Sequence, residues 1–326
     1  MITCLFAACS DTKSPEMARA EDSILTEQPE KSEKPTFDIV AEDIDIIGGT
    51  ITYERIGNNN RSLVVSNGWL YMTPFAESPL LAYRVNETES GAVNVTFERA
   101  FEMSTRLGGG GLSTGPDSTI LFNTLGEIYQ VKQTEKLTKY DTDRWFGIAY
   151  DPETNFGIAQ SSEGPVSFSI DENKVISEPW AAWKPESLPE DWRIDRIRNI
   201  FIDGNNILLI GRLDKSHNDV LICIDRAGAP VFRSPSAIKN IDSVASYNGY
   251  YLILSIKKHM LRILDREGDV LGKGRIFKDL KPEYSTYPLA SIMVNSQDGI
   301  FVLKGARLKD SDLNQTVLTK IHLIEK

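Results

Sequence analysis

Few residues of this sequence have the types and spacing that catalysis or cofactor binding requires. The run Gly108–Gly111 is not followed by the Lys-Ser/Thr pair of a phosphate-binding loop, and no Gly-x-Ser-x-Gly nucleophile motif occurs. The histidines His217, His259 and His322 lack the spacing of a metal site. The sequence therefore predicts no cofactor and no metal site, and it favours a protein that binds over one that catalyses.

Aromatic and arginine side chains concentrate in three long connections between predicted strands, residues 100–117, 178–197 and 276–289. Such side chains suit a recognition surface, because flat rings bury a large area at a low entropic cost. The predicted ligand-binding residues of these connections are Arg106, Trp180, Trp183, Trp192, Arg196, Tyr284 and Tyr287. The alternative for the tryptophans is a place in the core, since tryptophan is highly buried on average.

Short apolar runs with period-two alternation, broken by Gly, Asn and Asp, fill the chain from Phe37 onwards. This texture is typical of strands and tight turns. One strand recurs six times, at intervals of 39 to 59 residues. Its clearest copies end in Asp225-Arg226-Ala227-Gly228 and Asp265-Arg266-Glu267-Gly268. Regular repetition of one strand predicts a protein built from about six similar β units.

Two further strands precede each copy, and in the last three units the turns between them contain Asn-Gly or Asp-Gly, which supply the positive φ of two-residue hairpins. The sixth copy, Val317–Leu323, is the last strand of the chain, so its unit lacks an outer strand. An uncovered edge is an aggregation hazard. We therefore expect a strand from Phe37–Ile56, namely Thr50–Arg55, to pair beside Val317–Leu323 and complete the unit. Two packed β-sandwiches would not explain the recurring strand order.

The repeat resembles the blades of six-bladed β-propellers of the TolB-like and lactonase-like kind, over residues 37–326. The resemblance implies an all-β fold whose inter-blade connections gather around the mouth of a central channel. The residues that precede the first strands of the blades would line that mouth: Arg61, Asp117, Arg144, Arg198, Asp242 and Leu289. Arg61, Arg144 and Arg198 suit an anionic ligand, and inter-blade salt bridges are the alternative.

Lactonase-like propellers hold a catalytic metal with acidic and amide side chains inside the channel. Under this resemblance, Asp117 and Asp242 are the candidate acids of an alternative function, a metal-dependent lactonase or esterase. Three arginines at the same mouth would repel a divalent cation, which favours the binding function.

The overall charge excludes one class of partner. The chain has 326 residues, with 36 Lys and Arg against 46 Asp and Glu, so its net charge is −10. A nucleic-acid-binding protein needs a basic field to meet phosphates, and this composition argues against one.

The first nine residues resemble the end of a bacterial lipoprotein signal peptide, the lipobox. Ala7 and Ala8 stand at the small positions before cleavage, and Cys9 stands where the lipid is attached. Residues 10–36 are highly charged and contain no aromatic residue, which predicts a disordered tether. The three predicted segments are thus 1–9, 10–36 and the propeller, 37–326.

The sequence as a whole predicts an extracytoplasmic β-propeller that is lipid-anchored to the bacterial cell envelope, at the outer membrane and periplasm if the host is Gram-negative. The expected partner is a protein, peptide or glycan, bound on the face that carries the long connections. The alternatives are the hydrolase described above and a structural subunit of an envelope complex.

Overall fold

Strands dominate the parts of the chain that the structure describes, as the alternating apolar runs predict. The computed structural model describes residues 34–44, 46–47, 52–53, 62–73, 80–87, 93–101, 111–172, 174–213, 219–255, 260–276, 284–295, 299–310 and 314–326. Pro35–Lys326 form one compact unit. The helical turns in these ranges are three short 3-10 turns at Pro116–Ser118, Pro185–Ser187 and Glu190–Trp192.

The N-terminal part of the larger unit supplies three strands that belong to no repeat of their own. These are β1 (Phe37–Ile44), β2 (Ile46–Ile47) and β3 (Thr52–Tyr53). Six groups of consecutive strands follow, which we call modules 1 to 6.

Neighbouring strands within a module pair antiparallel. Module 1 comprises β4 (Ser62–Ser66), β5 (Trp69–Thr73), β6 (Leu80–Glu87) and β7 (Val93–Phe101). Module 2 comprises β8 (Leu112–Thr114), β9 (Ile120–Lys132) and the first half of β10 (Glu135–Asp151). Module 3 comprises the second half of β10 with β11 (Phe156–Ser161), β12 (Gly164–Asp171) and β13 (Lys174–Pro179).

The remaining modules follow the same order. Module 4 comprises β14 (Ile194–Asp203), β15 (Asn206–Leu213), β16 (Asp219–Asp225) and β17 (Pro230–Arg233). Module 5 comprises β18 (Ser243–Tyr247), β19 (Tyr250–Ser255), β20 (Met260–Leu264) and β21 (Val270–Arg275). Module 6 comprises β22 (Tyr284–Asn295), β23 (Gly299–Leu308) and β24 (Asn314–Glu325). The recurring strand of the sequence is the third strand of each module.

Module 2 has the same strand order as the other modules because each half of β9 acts as a separate strand and the first half of β10 is the fourth. Gly126 has φ +99° in the middle of β9, and Thr124 Oγ1 donates to the Glu127 carbonyl at 3.5 Å. Gln130 Nε2 in turn donates to Thr119 Oγ1 at 3.1 Å, which indicates that β9 folds back on itself. β10 pairs with β9 up to Arg144 and with β11 from Trp145 onwards, so one strand passes from module 2 into module 3.

Buried apolar clusters lie between consecutive modules. Each of the six clusters draws residues from two neighbours, and one of them joins Phe301 and Leu318 of module 6 to Leu70 and Tyr83 of module 1. The first strand of each module contacts the first strand of the next, and β22 contacts β4. These contacts and the four-stranded sheets define a β-propeller.

The N-terminal strand β1 covers the edge of the last strand, as predicted, but the segment differs from the one expected. β1 pairs antiparallel with β24 from Phe37 opposite Glu325 to Ile44 opposite Leu318. The predicted segment contributes only Thr52–Tyr53, which pair with Gln315 and Asn314. β1 is suited to an outer strand because Phe37 and Ile39 pack on the core while Asp38 and Val40 are exposed.

Candidate functional site

Two ends of the modules must be distinguished to place the predicted site residues. We call the end at which a module's first strand begins its loop end, and the end at which that strand turns into the second its hairpin end. The connections between modules therefore meet the loop ends, where ligand-binding residues were expected. Among the described residues, the connections 180–193 and 234–242 lie there in full.

The tryptophans of connection 180–193 form part of the core between modules 3 and 4. Trp180 is 6% exposed, and its ring stacks on that of Trp183 with centroids 6.3 Å apart. Trp183 and Trp192 are partly buried against the same cluster, which contains Leu188 and Ile194. Trp180 therefore lies in the core, which was the alternative to a ligand-binding role. Trp183 and Trp192 have only part of their surface available to a ligand.

The remaining predicted residues are distributed as follows. Arg144, Arg196 and Arg198 are exposed near the loop ends of modules 3 and 4. Tyr284 and Tyr287 lie in β22, whose side chains are not described. Arg61, Arg106 and Cys9 lie outside the described residues.

Arg198 is engaged within its own module. Its guanidinium donates to Asp219 Oδ2 at 2.7 Å, and this carboxylate is only 11% exposed. β15 lies between the two residues, and its Arg212 stands directly opposite Asp219 in the register. The contact is therefore a salt bridge within one module, whereas the sequence analysis gave a salt bridge between blades as the alternative to anion binding.

Arg196 has a different neighbour, a second arginine. It lies directly opposite Arg212 in the β14–β15 register, and both residues are exposed. Like charges at directly opposed positions destabilise a sheet. Within the described part of the chain neither makes an ion pair, although Asp219, whose Oδ2 accepts from Arg198, lies directly opposite Arg212 on the other side of β15. An anion between the two guanidinium groups would relieve their repulsion.

Strand alternation places Arg212 on the face of module 4 that packs against module 5. We call the loop end of this packed interface the groove between modules 4 and 5. Ile210, two residues before Arg212, belongs to the apolar cluster shared by those modules, so Arg212 projects from the same face of β15. The opposite wall of the groove is module 5, where Leu264 belongs to the same cluster. Arg262, two residues before Leu264, therefore projects from the facing surface of β20.

Sequence reasoning missed Arg262, although its position carries a signal. It is a lone cation in the otherwise apolar strand Met260-Leu261-Arg262-Ile263-Leu264. The side chain is 9% exposed, and it donates to Ser255 Oγ at 3.4 Å. Burial lowers the pKa of Arg262 below its ordinary value. Connection 234–242 contacts this site, since Ser255 Oγ donates to the Lys239 carbonyl at 3.1 Å.

The two candidate acids lie at different ends of their modules. Asp117 follows β8 in the 3-10 turn at its hairpin end, with φ +52°. Asp242 precedes β18 at the loop end, where its amide donates to the Leu254 carbonyl at 2.9 Å. The structure does not bring them together as a catalytic pair. No group of three potential metal ligands occurs within the described ranges.

The hairpin ends carry arginines of another kind. Arg226, in the turn after β16, forms an ion pair with Asp151 of the preceding module, and its guanidinium lies 4.7 Å from the Phe156 ring centroid. Burial raises the pKa of Asp151, but hydrogen bonds from Thr154 and Arg226 outweigh it, so the net pKa lies below its ordinary value. This arginine is committed to holding modules 3 and 4 together.

The same arrangement recurs one module later. Arg266 forms an ion pair with Asp203 at the end of β14, and its guanidinium lies 4.6 Å from the Tyr251 ring centroid. The repeated Asp-Arg-x-Gly motif of the sequence is thus a structural link between modules. It leaves the loop-end arginines as the candidates for binding.

None of the helical turns in the described ranges is long and apolar enough to cross a membrane.

Comparison with known proteins yields no matching protein family and no matching curated protein. Similar solved structures include Kuenenia stuttgartiensis hydrazine synthase, with 11% identity and a TM-score of 0.43 over 81% of this chain and 95% of that one. A nidogen/laminin complex has 12% identity and a TM-score of 0.44 over 73% and 97%. A streptogramin B lyase has 12% identity and a TM-score of 0.44 over 89% and 98%. At these identities and TM-scores, no activity of these proteins extends to this chain.

Proposed function

We propose that this protein is a six-bladed β-propeller that binds an anionic partner with its loop ends and catalyses no reaction. The six modules are the blades in this proposal, and the β1–β24 pair closes the ring. The contact between β22 and β4 and the apolar cluster shared by modules 6 and 1 support a closed ring of six.

The arginine pair Arg196–Arg212 is the observation that carries the binding proposal. A protein of net charge −10 holds two exposed arginines side by side at the loop end of module 4. Exposed Arg144 extends the basic surface at the neighbouring module 3. Guanidinium groups bind carboxylate, sulfate and phosphate oxygens in bidentate fashion, so the partner is a protein, peptide or glycan that carries such groups.

Binding of dextran sulfate, with neutral dextran as the reference, tests this proposal. The double variant Arg196→Glu/Arg212→Glu is expected to bind dextran sulfate at least about tenfold more weakly than the wild type, because each lost charge-assisted contact contributes roughly 1.5–3 kcal/mol. Biolayer interferometry at low and at physiological ionic strength measures the affinity.

The matched control is Lys132→Glu/Lys174→Glu, which makes the same charge change at two exposed hairpin-end positions. It is expected to leave the affinity within about twofold of wild type, because these lysines lie at the opposite ends of other modules, and salt screens the interaction of exposed charges. Equal losses in the two double variants, or no preference of the wild type for dextran sulfate over dextran, would reject the proposal.

We also propose that the propeller is held at the extracytoplasmic side of the bacterial cell envelope by a lipid on Cys9. The residues Ala7-Ala8-Cys9 support this proposal. Expression behind a complete lipoprotein signal, with labelled palmitate, should give a labelled protein in the membrane fraction. Cys9→Ser should remove both the label and the membrane association, and label retained in Cys9→Ser would exclude this anchor.

A further inference from the structure

The groove between modules 4 and 5 contains a buried cation that the surrounding protein does not balance. Arg262 is nine-tenths buried, and its protein partner is the neutral hydroxyl of Ser255 at 3.4 Å. No carboxylate of the described residues forms an ion pair with Arg262. A buried charge without a counterion is costly, and proteins ordinarily pair such a group.

The groove is also basic at its opening. Arg212 projects from the module 4 wall on the same side of the shared apolar cluster, and Arg196 lies opposite it in the sheet. Among the described residues, the acids at this end are Asp219, which lies opposite Arg212 and is engaged by Arg198, and Asp242, which has a partner of its own. In the part of this face that the structure describes, the arginines therefore outnumber the carboxylates.

We propose that the groove between modules 4 and 5 binds a single oxyanionic group, with Arg262 as its inner contact, held in place by Ser255, and Arg212 at its entrance. The Arg262 guanidinium has N–H groups beyond the one that donates to Ser255, and a carboxylate, sulfate or phosphate oxygen requires such donors. The inference deepens the proposed function, on which it rests for the anionic nature of the partner. It adds that one negatively charged group of the partner enters the groove and reaches Arg262.

Thermal unfolding and titration calorimetry with small anions test the site. Sodium phosphate, sulfate and acetate are compared with sodium chloride at equal ionic strength. The wild type is expected to bind at least one of the three oxyanions and to melt at a higher temperature in its presence, because a ligand of the native state stabilises it. Which anion binds best tells a phosphate or sulfate ester from a carboxylate.

Arg262→Met is the informative variant, since methionine keeps much of the volume without the charge. It is expected to weaken oxyanion binding at least about tenfold, a loss typical of one charge-assisted contact. Without oxyanion it should melt no lower than the wild type, because the variant removes an unbalanced buried charge. Arg275→Met, on the adjacent strand and exposed, is the control and should retain binding.

Each outcome has a defined meaning. Wild-type behaviour that is identical in all four salts, or full binding by Arg262→Met, overturns the site, and so does a large loss of melting temperature in Arg262→Met alone. If that variant does not fold, Ser255→Ala and Arg262→Lys decide, and unchanged affinity in both overturns the site. Dextran sulfate binding without small-anion binding refutes this inference alone, and the reverse result refutes only the proposed partner.

Discussion

A chain that begins at residue 45 is expected to lose its native fold, whereas a chain that begins at Lys34 is expected to keep it. The shorter chain lacks all of β1, whose eight residues pair with β24. It loses buried Ile44 and the packing of Phe37 and Ile39 on the core between modules 5 and 6. Burial of a large apolar side chain contributes roughly 1.5–3 kcal/mol. Three such losses approach the whole stability of a typical domain, about 5–15 kcal/mol.

Circular dichroism during thermal and urea unfolding measures this effect. A second pair of variants avoids the change in chain length, namely Ile44→Asp, at a buried position of β1, and Val40→Asp, at an exposed one. Ile44→Asp should be strongly destabilising, because it buries a carboxylate, and Val40→Asp should change little. If the two truncated chains melted within about 3 °C of each other, β1 would not be essential to the fold.

Gly228→Ala is expected to lower the free energy of unfolding by about 3 kcal/mol or more. Gly228 has φ +89° in the turn between β16 and β17, where an L residue is strained. In addition, a Cβ at this position would lie 2.1 Å from the carbonyl oxygen of Ala182. That atom belongs to the connection of the stacked tryptophans, so the backbone of the connection must move.

Gly249→Ala is the matched control for this substitution. Gly249 has a similar φ of +84° in the turn between β18 and β19, but a Cβ added there would have no atom within 4 Å. Its loss should therefore be limited to backbone strain, roughly 1–2 kcal/mol. Urea unfolding monitored by tryptophan fluorescence measures both variants. Equal losses would show that the contact with Ala182 contributes nothing to stability.

The strands themselves were predictable because their signals are local. Period-two alternation and turns such as Asn248-Gly249 depend only on neighbouring residues, and the third strand of each module was recognised at its correct place. The Asp-Arg-x-Gly copies were also visible in the sequence. Their purpose, a link to Asp151 or Asp203 of the preceding module, was not, because the partner lies far away along the chain.

The edges and the charges were decided by tertiary structure. β1 and β24 meet across some 280 residues, as the hydrogen bond from Thr319 Oγ1 to Asp43 shows at 2.7 Å, so local pattern could not choose β1 over Thr50–Arg55. Composition likewise cannot tell an arginine with a counterion from one without. Arg198 and Arg196 are two residues apart, yet one has Asp219 as its partner and the other has Arg212. The sequence by itself determined the repeated strands and turns; which cations stay unneutralised depends on distant residues that only the folded chain brings together.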